Sequence, residues 1–285
     1  MGAIRNTACT AVVVALGFLT GHGECGSMPT PLPESLFAQS AAKELQGAFA
    51  SHDISFLLLD AETGAVVAAQ WDDPTKPIAV GSLVKPFVAL AYGEQHAFQY
   101  PTHVCRGTAT GCWLARGHGD VDLSMAIAHS CNSYFRVLTA TMTAADVAPI
   151  ARGLGLEAPP RDVSGPQLAG LGNRWSIAPL NIARAYLELL RRRDQPGVRT
   201  IFAGMKASAG EGTGAGVNRT LRYPNALVKT GTSSCTHARH APGDGFTIAI
   251  FPADHPEVLL LVCAHGVPGA QAAKVAGQML EIIEE

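Results

Sequence analysis

The segments that predict β-strands stand in two groups far apart in the chain, and this separation constrains the fold most. Ile54–Leu59 and Ala65–Trp71 flank a turn that contains Gly64, a residue suited to positive φ, and they predict two strands joined by a turn. Three further apolar runs, each predicting a strand, follow only much later: Ala226–Val228, Phe246–Phe251 and Val258–Cys263. We therefore expect an α+β domain with one antiparallel sheet of about five strands.

The remaining sequence is mostly helical in pattern. Leu36–Ala50 and Ala270–Ile283 predict an N-terminal and a C-terminal helix that flank the sheet. Residues 82–200 are mostly helical, with Gly and Pro breaks near 101–119 and 153–172, and Ile177–Arg193 predicts a helix that begins near Pro179. A mostly helical subdomain, about residues 86–200, is thus expected between strands two and three.

The N-terminal residues predict export. Met1–Asn6 carries one cation, Arg5, and no acid, and the apolar run Ala8–Thr20 is shorter than the roughly 20 residues that span a bilayer. A buried core helix is the alternative. We expect a signal peptide over residues 1–26 with an uncertain cleavage site, a linker over 27–35, a domain over 36–285, and a periplasmic or cell-envelope location. Membrane anchoring stays open, because Cys25 follows a poor context for lipidation.

Charge and hydropathy exclude two broad classes. The formal net charge is −2 and 15% of residues are charged, so the chain lacks the basic footprint of a nucleic-acid-binding protein. Hydrophobic residues make up 47% of the chain, which is enough to bury a core and excludes a charge-rich disordered protein.

Two cysteines, separated by six residues, begin and end the Gly/Thr-rich loop sequence Cys-Arg-Gly-Thr-Ala-Thr-Gly-Cys. In an oxidising compartment Cys105 and Cys112 could form a disulfide. A zinc site would need two further ligands at a characteristic spacing, and neither His103 nor His118 supplies one convincingly. We expect the disulfide in preference to zinc, and no bound metal.

Ser82-Leu83-Val84-Lys85 is the first candidate for chemistry. Gly81 precedes it, and Pro86 favours a helix start, so the Ser82 hydroxyl would lie at a helix N-terminus with the Lys85 amine one turn away. A serine hydroxyl is a weak nucleophile and needs a neighbouring base, which a neutral lysine can provide. About one Ser-x-x-Lys is expected by chance in a chain of this length. We interpret the second one, Ser40 to Lys43, as a solvated helix face.

Two more polar triplets follow. Ser130-Cys131-Asn132 lies in the helical region, where a helix cap or a turn is the plain interpretation. Lys229-Thr230-Gly231, followed by Thr232, ends the apolar run at 226–228 and should lie on a strand edge. Glycine there allows close approach of a ligand, and a lysine with hydroxyls suits a carboxylate.

The three motifs, in this order, resemble those of the penicillin-binding serine transpeptidases and the related serine β-lactamases. The similarity covers nearly all of residues 54–265, and beyond the motifs it includes these segments: Leu59–Val66, Gly81–Phe87, His129–Phe135, Ala178–Tyr186, Gly204-Met205 and Gly212–Gly214. The resemblance implies a serine enzyme that is acylated by D-alanyl-D-alanine stem peptides of peptidoglycan or by a β-lactam, with no cofactor.

The resemblance also implies a role for each motif residue. Ser82 would be the nucleophile, Lys85 its base, and Ser130 the proton donor to the leaving amine, with Lys229 tuning Ser130. The substrate would be bound by Asn132, Thr230, Gly231 and Thr232. The backbone N–H groups of Ser82 and Thr232 would form the oxyanion hole.

Several activities fit this resemblance. A D,D-transpeptidase or D,D-carboxypeptidase is the leading hypothesis, and a serine β-lactamase is an alternative. Asn132 argues against class D β-lactamases, and no Glu-x-x-Leu-Asn segment of the class A kind is present. A non-turnover β-lactam sensor or a scaffold for cell-wall assembly proteins is a further alternative. The sequence leaves the oligomeric state open.

Overall fold

The structure, a computed structural model, describes residues 36–51, 53–234 and 243–284. The predicted signal peptide (1–26) and linker (27–35) lie outside these residues. The described residues belong to one compact unit, Glu34–Glu285. Within them, no helix has the length and hydropathy needed to span a membrane.

Nine strands are described: β1 (Ile54–Asp60), β2 (Val66–Gln70), β3 (Ile78–Ala79), β4 (His103–Cys105), β5 (Gly119–Val121), β6 (Ser176–Ile177), β7 (Leu227–Ser233), β8 (Asp244–Phe251) and β9 (Val258–Ala264). Five of them form the main sheet, in the order β2-β1-β9-β8-β7. Every neighbouring pair is antiparallel. The predicted fold class is confirmed, and the strand that carries the Lys-Thr-Gly triplet, β7, is an edge strand.

Nine helices are described: α1 (Leu36–Ala48), α2 (Lys85–Gln95), α3 (Leu123–Ala128), α4 (Asn132–Leu138), α5 (Ala144–Gly153), α6 (Pro179–Arg191), α7 (Pro196–Gly210), α8 (Ala215–Asn218) and α9 (Gly269–Glu284). Short 3₁₀ turns occur at Gly81–Val84, Gly107–Thr110 and Gly165–Ala169. The terminal helices α1 and α9 and the helix α6 lie within two residues of their predicted ends.

The sheet is covered on both faces, which explains why its strands are almost continuously apolar. Along β1, Phe56 and Leu58 pack in one core with residues of α1 and α9, such as Leu45 and Met279. Leu57 and its neighbour Leu59 point to the opposite core, which holds the helices of the insert. One strand therefore links both cores by the two-residue alternation of its side chains.

Two small antiparallel pairs accompany the helical insert: β4 with β5 lies within it, and β6 of the insert pairs with β3, which precedes it. The sequence did not predict them, because strands of two or three residues are too short to show an alternating pattern. The β4–β5 pair falls in the Gly-rich break predicted near 101–119. The loop that contains Cys112 connects these two strands.

A buried hydrogen bond joins this insert to the turn that precedes α2. The Tyr186 hydroxyl on α6 donates to the backbone oxygen of Leu83 at 2.8 Å, and both residues are fully buried. The ring of Tyr186 also meets the ring of Phe87 edge to face, with centroids 5.1 Å apart. The turn with Ser82 is thus anchored to α6.

We expect Tyr186→Phe to lower the free energy of unfolding by about 1–3 kcal/mol, because it leaves the buried Leu83 carbonyl without a donor. Tyr134→Phe is the matched control, since the Tyr134 ring is equally buried but its hydroxyl has no hydrogen-bond partner among the described residues. That control should change stability by less than about 0.5 kcal/mol or increase it. Urea unfolding curves of the two variants measure the difference, and equal losses would contradict the assigned hydrogen bond.

Candidate active site

Ser82 lies in the 3₁₀ turn Gly81–Val84, directly before α2. The helix begins at Lys85 with Pro86 in its first turn, as the sequence predicted. Ser82 is partly exposed and Lys85 is fully buried. The other Ser-x-x-Lys is different, because Ser40 and its partner Lys43 are both exposed on α1.

Two glycines let this turn pack directly against the edge strand. Gly81 has φ +56°, and a Cβ there would lie 2.2 Å from the backbone oxygen of Thr232. A Cβ on Gly231 would lie 2.5 Å from the backbone oxygen of Val80. Backbone therefore meets backbone at this contact, and Ser82 is brought beside Thr232.

Ser130 occupies the connection between α3 and α4 and has φ +49°, which is uncommon for a residue with a side chain. Its hydroxyl oxygen lies 3.0 Å from the Lys229 Nζ and 3.4 Å from the Lys85 Nζ. The three motifs, which lie 45 and 99 residues apart in sequence, thus converge on one hydroxyl group.

The Lys85 amine is held by oxygen atoms of the second motif. Its Nζ donates to the Ser130 backbone oxygen at 2.8 Å and to the Asn132 Oδ1 at 2.7 Å. Burial lowers the pKa of Lys85 to about 7, and the nearby Cys131 and Cys112 oppose this shift. A neutral amine keeps two N–H donors and one lone pair, so these two short hydrogen bonds leave the lone pair free to accept a proton. Within the described part of the chain, no hydrogen bond yet joins Lys85 to Ser82.

Lys229 is the second buried lysine. Besides Ser130, its Nζ contacts the Thr230 backbone oxygen at 2.6 Å. Burial lowers the pKa of Lys229, and the positive charge of Lys85 lowers it further. A positive charge on one of the two amines disfavours protonation of the other, because both are desolvated and close together. The Ser130 hydroxyl lies between these two amines and can exchange a proton with either of them.

A cavity of about 190 Å³ opens in front of these groups. Its lining includes all but two of the predicted catalytic and substrate-binding residues, namely Ser82, Ser130, Asn132, Thr230, Gly231 and Thr232, while Lys85 and Lys229 are buried. The described lining contains no carboxylate and no imidazole.

The cavity is also lined by residues that the sequence did not identify as site residues, among them Thr213 and Trp113. The Thr213 hydroxyl accepts a 2.6 Å hydrogen bond from the Thr230 hydroxyl, and the Thr213 N–H donates to the backbone oxygen of Ala128. Thr213 thus bridges β7 and α3. The half-exposed Trp113 contributes an aromatic wall from the Gly-rich loop. In the sequence, only Thr213 could have been found, because Gly212–Gly214 belongs to the segments that resemble transpeptidases.

Cys105 and Cys112 are free, buried thiols in the structure. The disulfide predicted between them is therefore not formed there. Both side chains instead face His118 and Cys131.

Solved structures that are similar to this chain include several penicillin-binding proteins. The structure of penicillin-binding protein 2 of Pseudomonas aeruginosa matches with a TM-score of 0.71 at 18% identity, over 86% of this chain and 73% of that chain. The transpeptidase domain of Burkholderia pseudomallei penicillin-binding protein 3 matches with a TM-score of 0.65 at 17% identity, over 86% and 91%. Penicillin-binding protein 2 of Helicobacter pylori, in complex with MreC, matches with a TM-score of 0.72 at 16% identity, over 87% and 62%. No curated protein sequence matches the chain.

The fold is therefore that of the penicillin-binding transpeptidase domains, as the motifs indicated. The family model described as "Penicillin binding protein transpeptidase domain" matches residues 54–283, and the chain belongs to this family.

The contact between Gly81 and Thr232 can be tested by substitution. Gly81→Ala adds a methyl group where backbone atoms already meet, and the positive φ adds strain, so we expect a loss of about 2–5 kcal/mol of stability. Gly155→Ala is the control, because Gly155 has a similar φ of +76° with nothing within 4 Å of the added Cβ. Its expected cost is only the backbone strain of about 1–2 kcal/mol. Chemical denaturation measures the loss of stability in both variants. Equal losses would show that the contact with Thr232 adds no cost beyond the backbone strain.

Proposed function

We propose that the protein is a serine acyl-enzyme that acts on D-alanyl-D-alanine stem peptides of peptidoglycan, as a D,D-transpeptidase or D,D-carboxypeptidase, and that penicillin acylates it at Ser82. The observation that carries the proposal is the position of the Ser130 hydroxyl between the buried amines of Lys85 and Lys229, beside Ser82 in one cavity. Membership of the transpeptidase family supports it.

In the proposed acylation step, the Ser82 Oγ attacks the carbonyl carbon of the terminal peptide bond. Neutral Lys85 takes the hydroxyl proton. The negative charge that develops on the carbonyl oxygen is stabilised by the backbone N–H groups of Ser82 and Thr232. When the C–N bond breaks, Ser130 gives its proton to the leaving amine and regains one from Lys85, 3.4 Å away. The products are an ester on Ser82 and free D-alanine, or an opened β-lactam ring that stays attached.

Substrate binding follows from the groups that remain available in the cavity. The Asn132 Oδ1 already accepts from Lys85, so its amide NH₂ is the group that can donate to a substrate carbonyl. Thr230 and Thr232, at the sheet edge and with Lys229 behind them, suit the terminal carboxylate. The Thr232 hydroxyl is itself oriented by the N–H of Gly269 at 3.0 Å.

The cavity favours a cell-wall enzyme over a β-lactamase. Rapid hydrolysis of an acyl-enzyme needs a base that activates water. The described lining offers neither a carboxylate nor an imidazole for this role. We therefore propose that a β-lactam ester on Ser82 is long-lived, and that an amine of a second stem peptide or water, admitted with the natural substrate, releases the peptide.

An extracytoplasmic location completes the proposal, since peptidoglycan lies outside the cytoplasm and residues 1–26 have the pattern of a signal peptide. Partners in cell-wall assembly are a further part of it. They are supported by two structural neighbours, the Helicobacter pylori complex with MreC and a peptidoglycan synthase complex that coordinates polymerization and crosslinking.

A fluorescent penicillin should label the purified chain, and Ser82→Ala should abolish the label. Lys85→Met should slow labelling about 10²–10⁴-fold, because a general base is lost while the buried site stays filled. Ser40→Ala and Lys43→Met are matched controls in the other Ser-x-x-Lys, and both should label like the unaltered chain. Label on Ser82→Ala, or none on the unaltered chain, would contradict the proposal and favour a non-turnover scaffold.

The persistence of the label separates the enzyme activities. We expect it to remain for many minutes after excess penicillin is removed, because no described group activates water against the ester. D-alanine should be released from a model pentapeptide, as measured by a coupled amino-acid oxidase assay. Loss of the label within seconds, with repeated turnover of penicillin, would instead identify a β-lactamase.

A further inference from the structure

Three cysteines and one histidine converge beside the catalytic cavity. Cys105 ends β4, Cys112 lies in the following loop, His118 precedes β5, and Cys131 lies between α3 and α4. One ligand atom from each residue lies within 4.8 Å of each of the others. We propose that these four residues bind one zinc ion, which fixes the loop 105–118 to the Ser130–Asn132 segment.

Three of the six distances between the four ligand atoms agree closely with a tetrahedral zinc site, and all six are within 4.8 Å. Zn–S bonds of about 2.3 Å and Zn–N bonds of about 2.0–2.1 Å require tetrahedron edges of about 3.8 Å between sulfurs and about 3.5 Å from sulfur to nitrogen. The His118 Nδ1 lies 3.5 Å from the Cys105 Sγ and 3.5 Å from the Cys112 Sγ. The Cys112 Sγ lies 3.9 Å from the Cys131 Sγ.

The donor set selects the metal. Three thiolates with one imidazole are soft and borderline ligands that suit zinc, whereas magnesium and calcium prefer oxygen. Four protein ligands also fill a tetrahedral shell, which is typical of structural and not of catalytic zinc. The three cysteines are buried and the histidine is partly buried, so the site is protected from solvent.

A Cys105–Cys112 disulfide explains these positions less well. It would join two of the four residues and leave Cys131 and His118 without a reason for their approach. The sequence favoured the disulfide because the predicted export implies an oxidising compartment, and because two further zinc ligands at a characteristic spacing were not evident. The fourth ligand comes from the Ser130-Cys131-Asn132 motif, 13 residues after His118, and only the fold brings it to the others.

The position of Cys131 gives the ion a consequence for the active site. It lies between Ser130, whose φ is +49°, and Asn132, which holds Lys85. The same loop presents Trp113 to the cavity, and the Trp113 Nε1 donates to the backbone oxygen of His129 at 3.2 Å. Zinc would thus hold the second motif and the aromatic wall in one arrangement. This part of the inference rests on the proposed function.

Metal analysis of the full chain, purified with a reductant and without chelators, tests the site directly. Inductively coupled plasma mass spectrometry should find one zinc ion per chain. Replacement by cobalt should give thiolate-to-metal charge-transfer bands together with the intense ligand-field bands of tetrahedral Co²⁺. A chain without stoichiometric zinc would overturn the proposal, as would a Cys105–Cys112 disulfide found by peptide mass spectrometry in metal-free protein isolated from cells.

Variants test the ligand assignment. Cys105→Ala and His118→Ala should each weaken zinc binding at least tenfold in competition with a chromophoric chelator. Cys105→Asp keeps a ligand atom and should retain zinc, which separates ligand loss from misfolding. Cys263→Ala is the control, because Cys263 is buried in β9 away from the cluster. Equal zinc affinity in Cys105→Ala and in the unaltered chain would overturn the assignment.

Acylation tests the effect on the active site separately. Removal of zinc from the unaltered chain should slow labelling by fluorescent penicillin at least tenfold, and zinc added back should restore it. Stoichiometric zinc with unchanged labelling would overturn the positioning role and leave the metal site standing. If the unaltered chain takes no label at all, the proposed function fails, while the zinc content and the cobalt spectrum still decide the metal site.

Discussion

The burial of two lysines around one hydroxyl is the constraint on which the rest of the site depends. Lys85 and Lys229 have no exposed surface, and both point at Ser130. A buried, unpaired ammonium group costs several kcal/mol, so both amines lower their pKa and take oxygen acceptors from the backbone and from Asn132. The surrounding helices and the sheet edge therefore shield both amines from solvent.

The fold places the three motifs in three different structural elements: a 3₁₀ turn, a connection between two helices and an edge strand. The turn with Ser82 is held between the edge strand β7, where Gly81 and Gly231 permit backbone contact, and the Tyr186 hydroxyl on α6. Ser130 is held in a strained connection between two short helices. Because strain of this kind persists only where neighbours enforce it, the zinc site that we propose at Cys131 would act where reinforcement is needed.

The sequence was most informative where a pattern repeats locally. The apolar runs predicted the five strands of the main sheet, and Pro86 predicted the start of α2. It was least informative in the loop near 101–119, where β4 and β5 are too short to show a period. There it predicted a disulfide between two nearby cysteines, whereas in the structure both thiols are free and lie close to His118 and Cys131.

The sequence by itself determined the fold class and the family, and it predicted which residues would form an ester, accept a proton or bind a carboxylate. These follow from local chemistry: the side chains present, their spacing and their hydrophobic pattern. Only the tertiary structure decided that Lys85 contacts Ser130 and Asn132, that Thr213 and Trp113 border the cavity, and that Cys131 joins the loop cysteines. Those contacts join segments far apart in the chain, and the burial that shifts a lysine pKa exists only after the whole core has packed around it.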